Sequence, residues 1–350
     1  MSTTPSPRDG ARYSRRQLAA VTLAGLAAPL FGRSSGVEAA GLQLGVQTSS
    51  FRGLVPAQGR DAVDAIIDAM LACDVRQCEL SAASIEPFAA PAKRPHAAST
   101  QRAAPMRHGV VPQASPPVEP GSPAEPAGRT ATTPSMSQMM RRELRKWRLR
   151  VPDSYFRNVA DRFTRAGIAI SAYNYSPNAS FSDEEIDRGF EMAKALGAQL
   201  VTASVTLDVA KRIAPLADRH RMVVALQGAA PGGESNALAT PDGFAAALAL
   251  SKYFRVSLDI GDFTAANFDA VAYVRDHHRE IATLRLKDRR KTTGENLPWG
   301  EGDAPIREVL RLVKQEAWPI RGYVEYDYAG PTGAIDEVKK CLAYASEAMM

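Results

Sequence analysis

The chain has 350 residues, of which 45% are hydrophobic and 23% charged, as in an ordinary globular protein. Its formal net charge of +5 is unevenly distributed: residues 1–40 carry +3, residues 87–150 carry +8, and the remainder carries −6. A nucleic-acid-binding protein would cluster its cations on the folded surface. Here the excess of positive charge lies in residues 1–40 and 87–150, and the remainder is acidic, so this distribution argues against a nucleic-acid partner.

The N-terminus carries the features of an export signal. Arg15 and Arg16 precede a moderately apolar run, 18–31, and a small-residue site ends at Ala39. Together they resemble a bacterial twin-arginine signal over residues 1–39, and the run is too short to span a membrane. We therefore expect a periplasmic protein with no membrane attachment in its mature form; the alternative is a disordered basic N-terminus.

From residue 42 onward, short β-rich runs alternate with helical patterns, which is typical of βα units and a parallel sheet. The eight predicted strands are 43–49, 76–82, 168–174, 199–205, 222–227, 255–260, 281–287 and 322–327. An eightfold alternation predicts a single-domain α/β protein with the (β/α)8 TIM-barrel fold over residues 41–349.

The helices between these strands have matching signals. After the first strand, apolar residues recur at helical spacing at Val63, Ile66, Ile67, Met70 and Leu71. Further along, Ser182 with Glu185 three residues later predicts a capping box. Three cysteines, Cys73, Cys78 and Cys341, form an odd set without metal-ligand spacing, so we expect buried thiols.

An insert over residues 87–135 interrupts the pattern after the second strand. It contains 11 prolines and 11 alanines but no Leu, Ile, Tyr or Trp, so we expect it to be disordered. Loops that follow barrel strands lie on the catalytic face, where the insert either shields the site or is an inert spacer. Residues 141–150 then predict an amphipathic helix with Met140, Leu144 and Trp147 on one side and solvated cations on the other.

Polar residues at alternate positions near the strand ends identify the mouth of the barrel interior. The residues predicted to lie there are Gln47, Glu79, Gln227, Asp259, Arg285, Lys287 and Glu325. Charged groups inside a barrel are costly to desolvate unless they are paired or used. Their clustering predicts a site for a polar ligand; the alternative is a purely structural ion-pair network.

Several motifs resemble one family. SLDIGDFTAA at 257–266, LRLKDRR at 284–290, PWGEGD at 298–303, YVEYDY at 323–328 and EIDRGFEMAKALG at 185–197 are similar to the sugar phosphate isomerase/epimerase family of xylose isomerase-like TIM barrels. The resemblance covers about residues 42–86 and 138–347. It implies a divalent metal ion held by a Glu or His after strand five, an Asp in strand six, a His in strand seven and a Glu in strand eight.

Only two of these four ligand positions match, Asp259 and Glu325. Gln227 ends strand five, Arg285 stands where the family has His, and Asp262 follows Gly261 where relatives have Gly-His. Arginine stays protonated and cannot be a metal ligand.

We therefore expect the Arg285 guanidinium to lie between Asp259 and Glu325 in place of the ion. No cofactor, or a weakly bound Mn, Mg, Co or Zn ion, is the corresponding prediction. The alternative is that Arg285 turns outward and a weak ion remains on Asp259, Glu325 and water.

These observations predict an exported isomerase or epimerase that acts on a sugar or polyol by carboxylate-mediated proton transfer. Glu325 and Glu79 are the candidate proton-transfer groups, and Lys287 could polarise a carbonyl or hydroxyl. The expected substrate-binding residues are Gln47, Gln227, Asp259, Asp262 and Arg285. A missing phosphate-binding loop disfavours a phosphorylated substrate. Because several motif histidines are absent together, the alternative is a non-catalytic barrel that binds carbohydrate or an envelope partner.

Overall fold

Eight parallel strands close into a barrel in the computed structural model, which describes residues 42–87, 136–228, 238, 240–292 and 294–350. The barrel strands are β1 (Gln43–Gln47), β2 (Gln77–Ser81), β3 (Ala169–Asn174), β4 (Leu200–Ser204), β5 (Val223–Gln227), β6 (Phe254–Asp259), β7 (Ile281–Leu286) and β10 (Arg321–Val324). Their order around the barrel is β1-β10-β7-β6-β5-β4-β3-β2. A short antiparallel pair, β8 (Asp288–Arg289) and β9 (Asn296–Leu297), lies between the last two barrel strands.

The helices are α1 (Ala62–Ala72), α2 (Met136–Arg150), α3 (Asp153–Arg165), α4 (Asp183–Ala195), α5 (Leu207–His220), α6 (Pro241–Leu248), α7 (Ile260–Ala265), α8 (Ala270–His277), α9 (Ile306–Gln315) and α10 (Ala334–Met349). The predicted (β/α)8 fold is confirmed, and all eight predicted strands are present within a few residues of their expected bounds. The last strand is shorter than expected, so Glu325 follows β10 rather than lying within it.

Local signals explain where individual helices form and which face they bury. Ser182 accepts a hydrogen bond from the Glu185 backbone while the Glu185 side chain accepts one from Ser182, so the predicted capping box begins α4. In α1 the apolar stripe packs on the sheet as expected, except for Leu71. Leu71 is 39% exposed because it lies at the edge of the stripe, so its assignment to the buried face was wrong.

The barrel interior has an apolar layer below a polar one. Ala172, Leu200, Ala225 and Tyr323 pack together inside the barrel. The Tyr323 ring lies against Gly45, where a Cβ atom would come within 2.8 Å of the Gln77 carbonyl oxygen and 3.1 Å of the ring. A glycine is therefore needed at this position, and the tyrosine closes the floor beneath the charged layer.

An ion pair joins the two stretches of chain that flank residues 88–135. Arg148, near the end of α2, donates two hydrogen bonds of 2.7 Å to the two oxygens of Glu86, which follows β2. Its guanidinium also lies over the rings of Phe181 (4.7 Å) and Tyr175 (5.4 Å). The apolar side of α2 was predicted correctly, but the expectation that its cations are solvated is wrong for Arg148, which is buried.

Two predicted segments lie outside the described residues: the signal over 1–39, and the insert over 87–135 apart from Pro87. In the part of the chain that is described, no helix has both the length and the apolar character needed to cross a bilayer. Cys73, Cys78 and Cys341 are buried free thiols, as expected, and burial raises the pKa of each.

Candidate active site at the barrel mouth

The charged residues of the mouth come from strand ends that the barrel brings to one level. Asp259 is the last residue of β6 and pairs in register with Arg285 of β7. On the other side, Arg285 is in register with Tyr323 of β10, and Glu325 follows two residues later. Glu79 comes from β2. The predicted interior positions are therefore adjacent in space, as the alternation of side chains along a strand requires.

Lys287 lies at the centre of three carboxylates. Its Nζ is 2.9 Å from Asp259 Oδ2, 3.0 Å from Asp262 Oδ1 and 3.7 Å from Glu325 Oε2. The lysine stem passes over Gly261, where a Cβ would lie 2.6 Å from Lys287 Cγ. The absence of a side chain at position 261 thus lets the ammonium reach β6.

Arg285 pairs with a different carboxylate from the one expected. Its guanidinium donates a 2.7 Å hydrogen bond to Glu79 Oε2 and lies 3.7 Å from Glu325 Oε1, while the other Glu79 oxygen accepts a hydrogen bond from Thr202. The position between Asp259 and Glu325 belongs to Lys287 instead. The expectation was right that a cation lies among these carboxylates and that Arg285 is inside the barrel, but it was wrong about which cation occupies that position.

Asp259 has several partners. Its Oδ1 accepts the backbone N–H of Asp262 at 2.9 Å, which caps α7, and its Oδ2 accepts a 3.0 Å hydrogen bond from Gln227 as well as the lysine contact. Burial, followed by the nearby Asp262 carboxylate, raises the pKa of Asp259 to about 7 against the opposing effect of Lys287. Near neutral pH this carboxyl can therefore both take up and release a proton.

Lys287, the cation next to Asp259, remains charged. Burial acts to lower the pKa of Lys287, but Asp259, Asp262 and Glu325 outweigh it and raise the pKa above the ordinary value. Burial also acts to raise the pKa of Asp262, but Lys287 and Arg289 outweigh it, so the pKa lies below its ordinary value.

Arg289 was not among the predicted site residues. It lies in β8 and donates a 2.6 Å hydrogen bond to Asp262 Oδ1, as well as bonds to the Gly294 carbonyl. The LRLKDRR motif contained the signal, because residues 285, 287 and 289 lie at alternate positions. The predicted strand ended at residue 287, so the third cation was left out.

Three polar atoms of the mouth have no hydrogen-bond partner among the described residues. They are Gln227 Oε1, Glu325 Oε2 and Arg285 Nε, and all three residues are buried, with 3%, 8% and 8% exposed. Arg285 Nε is a donor, whereas the other two atoms are acceptors, and a buried acceptor without a donor is unfavourable. A group that donates hydrogen bonds would therefore be stabilised here.

Gln47 is also at this level, since it pairs in register with Glu79, but its side chain is already used. Its Oε1 accepts hydrogen bonds from the backbone N–H (2.5 Å) and the hydroxyl of Ser49 and so begins the turn that follows β1. Asp327 lies nearby at the rim, where it binds Arg52 and accepts a 3.1 Å hydrogen bond from Asn296.

The residues at this level do not fit a divalent metal ion. Of the four positions implied by the resemblance, only Asp259 and Glu325 are anionic oxygen donors, Arg285 is a permanent cation, and the Lys287 ammonium lies within 3.7 Å of both carboxylates. In the parts of the chain that the structure describes, no group of three or more His, Cys, Asp or Glu side chains is arranged to hold a metal.

Comparison with known proteins supports the fold. No family model and no curated protein sequence matches the chain. Among solved structures, a sugar phosphate isomerase/epimerase from Parabacteroides distasonis is 13% identical, with a TM-score of 0.52 over 92% of this chain and 100% of that one. An L-ribulose 3-epimerase is 11% identical, with a TM-score of 0.55 over 88% and 94%.

An IOLI protein with a bound zinc atom is also 11% identical, with a TM-score of 0.54 over 88% of this chain and 98% of that one. The fold of this chain is thus the one found in sugar phosphate isomerase/epimerases and related barrels, and the resemblance seen in the sequence is confirmed at the level of the fold.

Proposed function

We propose that this protein is an isomerase or epimerase that acts on a neutral sugar, or on a polyol that carries a carbonyl group, at the barrel mouth. The observation that carries this proposal is the pair of buried acceptors without donors, Gln227 Oε1 and Glu325 Oε2, beside the Lys287 ammonium. A polyhydroxylated ligand has the hydroxyl donors that these atoms lack. The structural neighbours named as sugar isomerases and epimerases support the same class of substrate.

Glu325 is the best candidate for the base. It lies 3.7 Å from each of the two cations, Arg285 and Lys287, so neither holds it in a short hydrogen bond. A carboxylate at such a position can remove the proton from a carbon next to a carbonyl, while the Lys287 ammonium stabilises the negative charge that develops on the carbonyl oxygen.

Return of the proton completes the proposed reaction. Delivery to the opposite face of the same carbon gives an epimer. Delivery to the former carbonyl carbon gives an isomer, provided that the hydroxyl proton of the neighbouring oxygen passes to the former carbonyl oxygen. Asp259 is suited to this transfer because burial raises its pKa to about 7. No step passes through a metal ion.

Glu79 has a supporting role in this proposal. Both of its oxygens are engaged, one by Arg285 and one by Thr202, and its exposed fraction is 1%. Glu79 orients Arg285, which in turn faces Glu325.

The charges of the mouth favour a neutral ligand. Four carboxylates, Glu79, Asp259, Asp262 and Glu325, surround three cations, Arg285, Lys287 and Arg289, and each cation already contacts at least one carboxylate. No excess of positive charge remains there for a phosphate group. Export to the periplasm, where we propose that the mature protein acts, is in keeping with a substrate that is not phosphorylated.

The contact of each cation of the mouth with at least one carboxylate also favours a second candidate, a barrel that binds carbohydrate without turning it over. In that case the ion pairs between Lys287 and Asp259 and between Arg285 and Glu79 hold the mouth rigid and take no part in proton transfer.

Solvent exchange separates the two candidates. The protein is incubated in D₂O with a panel of neutral aldoses, ketoses and cyclic polyols, and deuterium incorporation at carbon is followed by NMR beside a thermal-shift screen for binding. An enzyme incorporates deuterium, and Glu325→Gln abolishes the exchange while the control Glu301→Gln on the neighbouring loop does not. Binding without exchange across the panel supports the non-catalytic barrel. Exchange that survives Glu325→Gln removes Glu325 from the mechanism.

A further inference from the structure

We propose that Lys287 is a built-in cation that takes the position its three surrounding carboxylates would otherwise offer to a divalent ion, so that replacing this lysine creates a metal site. The metal-site residues would be Asp259, Asp262 and Glu325. This inference does not depend on any catalytic activity, because it concerns which cation the carboxylates hold.

The first argument is geometric. Oxygens from β6, from the first turn of α7 and from the segment after β10 approach one nitrogen from three separate elements, at 2.9, 3.0 and 3.7 Å. Carboxylate oxygens that converge on one point are the ligands that hard divalent cations prefer. Asp262 was not among the metal ligands implied by the resemblance; it comes close because α7 begins directly at Asp259.

The second argument is one of mutual exclusion. Oxygen ligands lie about 2.0–2.6 Å from Mg²⁺ or Ca²⁺. An ion at that distance from these three oxygens would overlap the lysine nitrogen, so the ammonium and the ion cannot be present together.

The third argument concerns charge. When all three carboxylates are ionised they carry −3, and the ammonium supplies +1, with Arg289 bound to Asp262 and Arg285 3.7 Å from Glu325. Removing the lysine charge leaves three acidic side chains facing one another in a buried place, which a divalent cation would stabilise strongly. Oxygen-only ligands favour Mn²⁺ or Mg²⁺ over zinc.

The test compares Mn²⁺ binding by the full chain and by Lys287→Met, which keeps the volume of the side chain but removes its charge, with Lys287→Ala as a second variant. Binding is measured by isothermal titration calorimetry and by the Mn²⁺-dependent shift in melting temperature. We expect both variants to bind one Mn²⁺ on the order of 100-fold more tightly than wild type. A change of this size lies within the range over which the number of charged ligands alters metal affinity.

Three controls identify the ligands. Lys287→Arg keeps a cation and should gain no Mn²⁺ binding, and neither should Lys291→Met, which removes an exposed lysine four residues away. Adding Asp262→Asn to Lys287→Met should abolish most of the gain, because it removes one of the three carboxylates.

Folded Lys287→Met protein with no gain in Mn²⁺ affinity would overturn the inference, as would a gain that is unchanged by Asp262→Asn. Wild-type protein provides the independent measurement if neither variant folds. Its melting temperature should be the same with EDTA and with Mn²⁺, and a stoichiometric ion in the purified wild type, or a fall in melting temperature with EDTA, would show that the lysine does not exclude the metal.

Discussion

Replacing Arg285 with alanine would leave the Glu79 carboxylate, which is 1% exposed, with only the Thr202 hydroxyl as a partner. At the 2.7 Å separation of Arg285 and Glu79, an effective dielectric constant of about 20 corresponds to an attraction of about 6 kcal/mol. Part of this is offset because the guanidinium no longer has to be desolvated. We therefore expect the free energy of unfolding to fall by about 3–5 kcal/mol.

Urea denaturation followed by circular dichroism measures this change. With an m-value of about 3 kcal/mol/M, the midpoint of Arg285→Ala should lie about 1–1.7 M below that of wild type. The matched control is Arg76→Ala, which breaks an exposed pair with Asp74 and should cost less than about 1 kcal/mol.

A double-mutant cycle tests the reason for the loss. Glu79→Gln removes the stranded charge, so Glu79→Gln/Arg285→Ala should be more stable than the sum of the single changes predicts, with a coupling energy of about 1–3 kcal/mol. The reasoning is refuted if Arg285→Ala costs no more than Arg76→Ala, or if the two changes are additive.

Three further changes have defined outcomes. The pKa of Asp259 is raised to about 7 in the folded protein, so its contribution to stability is fully present below its unfolded pKa and is lost as pH rises through 7. Asp259→Asn should remove this loss. Parallel curves of stability against pH for the two proteins between pH 4 and 8 would contradict the assignment. Arg148→Met should lower the free energy of unfolding by about 3–5 kcal/mol because Glu86 loses both hydrogen bonds. Arg148→Lys should not restore the full stability, since lysine cannot form both bonds. A urea midpoint equal to that of wild type would show that the pair contributes nothing. Gly261→Ala places a Cβ 2.6 Å from Lys287 Cγ and should displace the ammonium. The affinity for a sugar found in the thermal-shift screen, measured by calorimetry, should fall by about tenfold or more while the circular dichroism spectrum is kept. Unchanged affinity would mean that the ammonium is not part of the binding site.

The strands could be predicted because each is a short apolar run between turn signals, and a strand's alternation determines which side chains face inward. This is why Asp259 and Glu325 were placed correctly at the mouth. The choice of partners could not be predicted, since Lys287 and Arg285 have long side chains that can each reach several strands. Which carboxylate each cation contacts depends on the stagger between strands and on the space above Gly261.

Two other misses have different origins. Arg148 and Glu86 are 62 residues apart, so no local periodicity connects them, and a cationic helix face next to a basic insert gave every indication of being solvated. Gln47 was placed at the correct level of the barrel, but its short-range bond to Ser49 competes with any ligand. Side-chain amides often form such local bonds, which compete with longer-range partners.

The Arg148–Glu86 pair also predicts how the protein responds to cleavage of its backbone between residues 88 and 135. It ties residue 86 to residue 148 through a buried, doubly hydrogen-bonded contact, and β2 pairs with β1 on one side and with β3 on the other. The segment that ends at residue 87 is therefore held by strand pairing at both edges of β2 and by the Arg148–Glu86 ion pair near its end. A single protease cut between residues 88 and 135 should give two fragments that remain together as one barrel in gel filtration and separate only in denaturant, so the protein could be produced as two complementary chains.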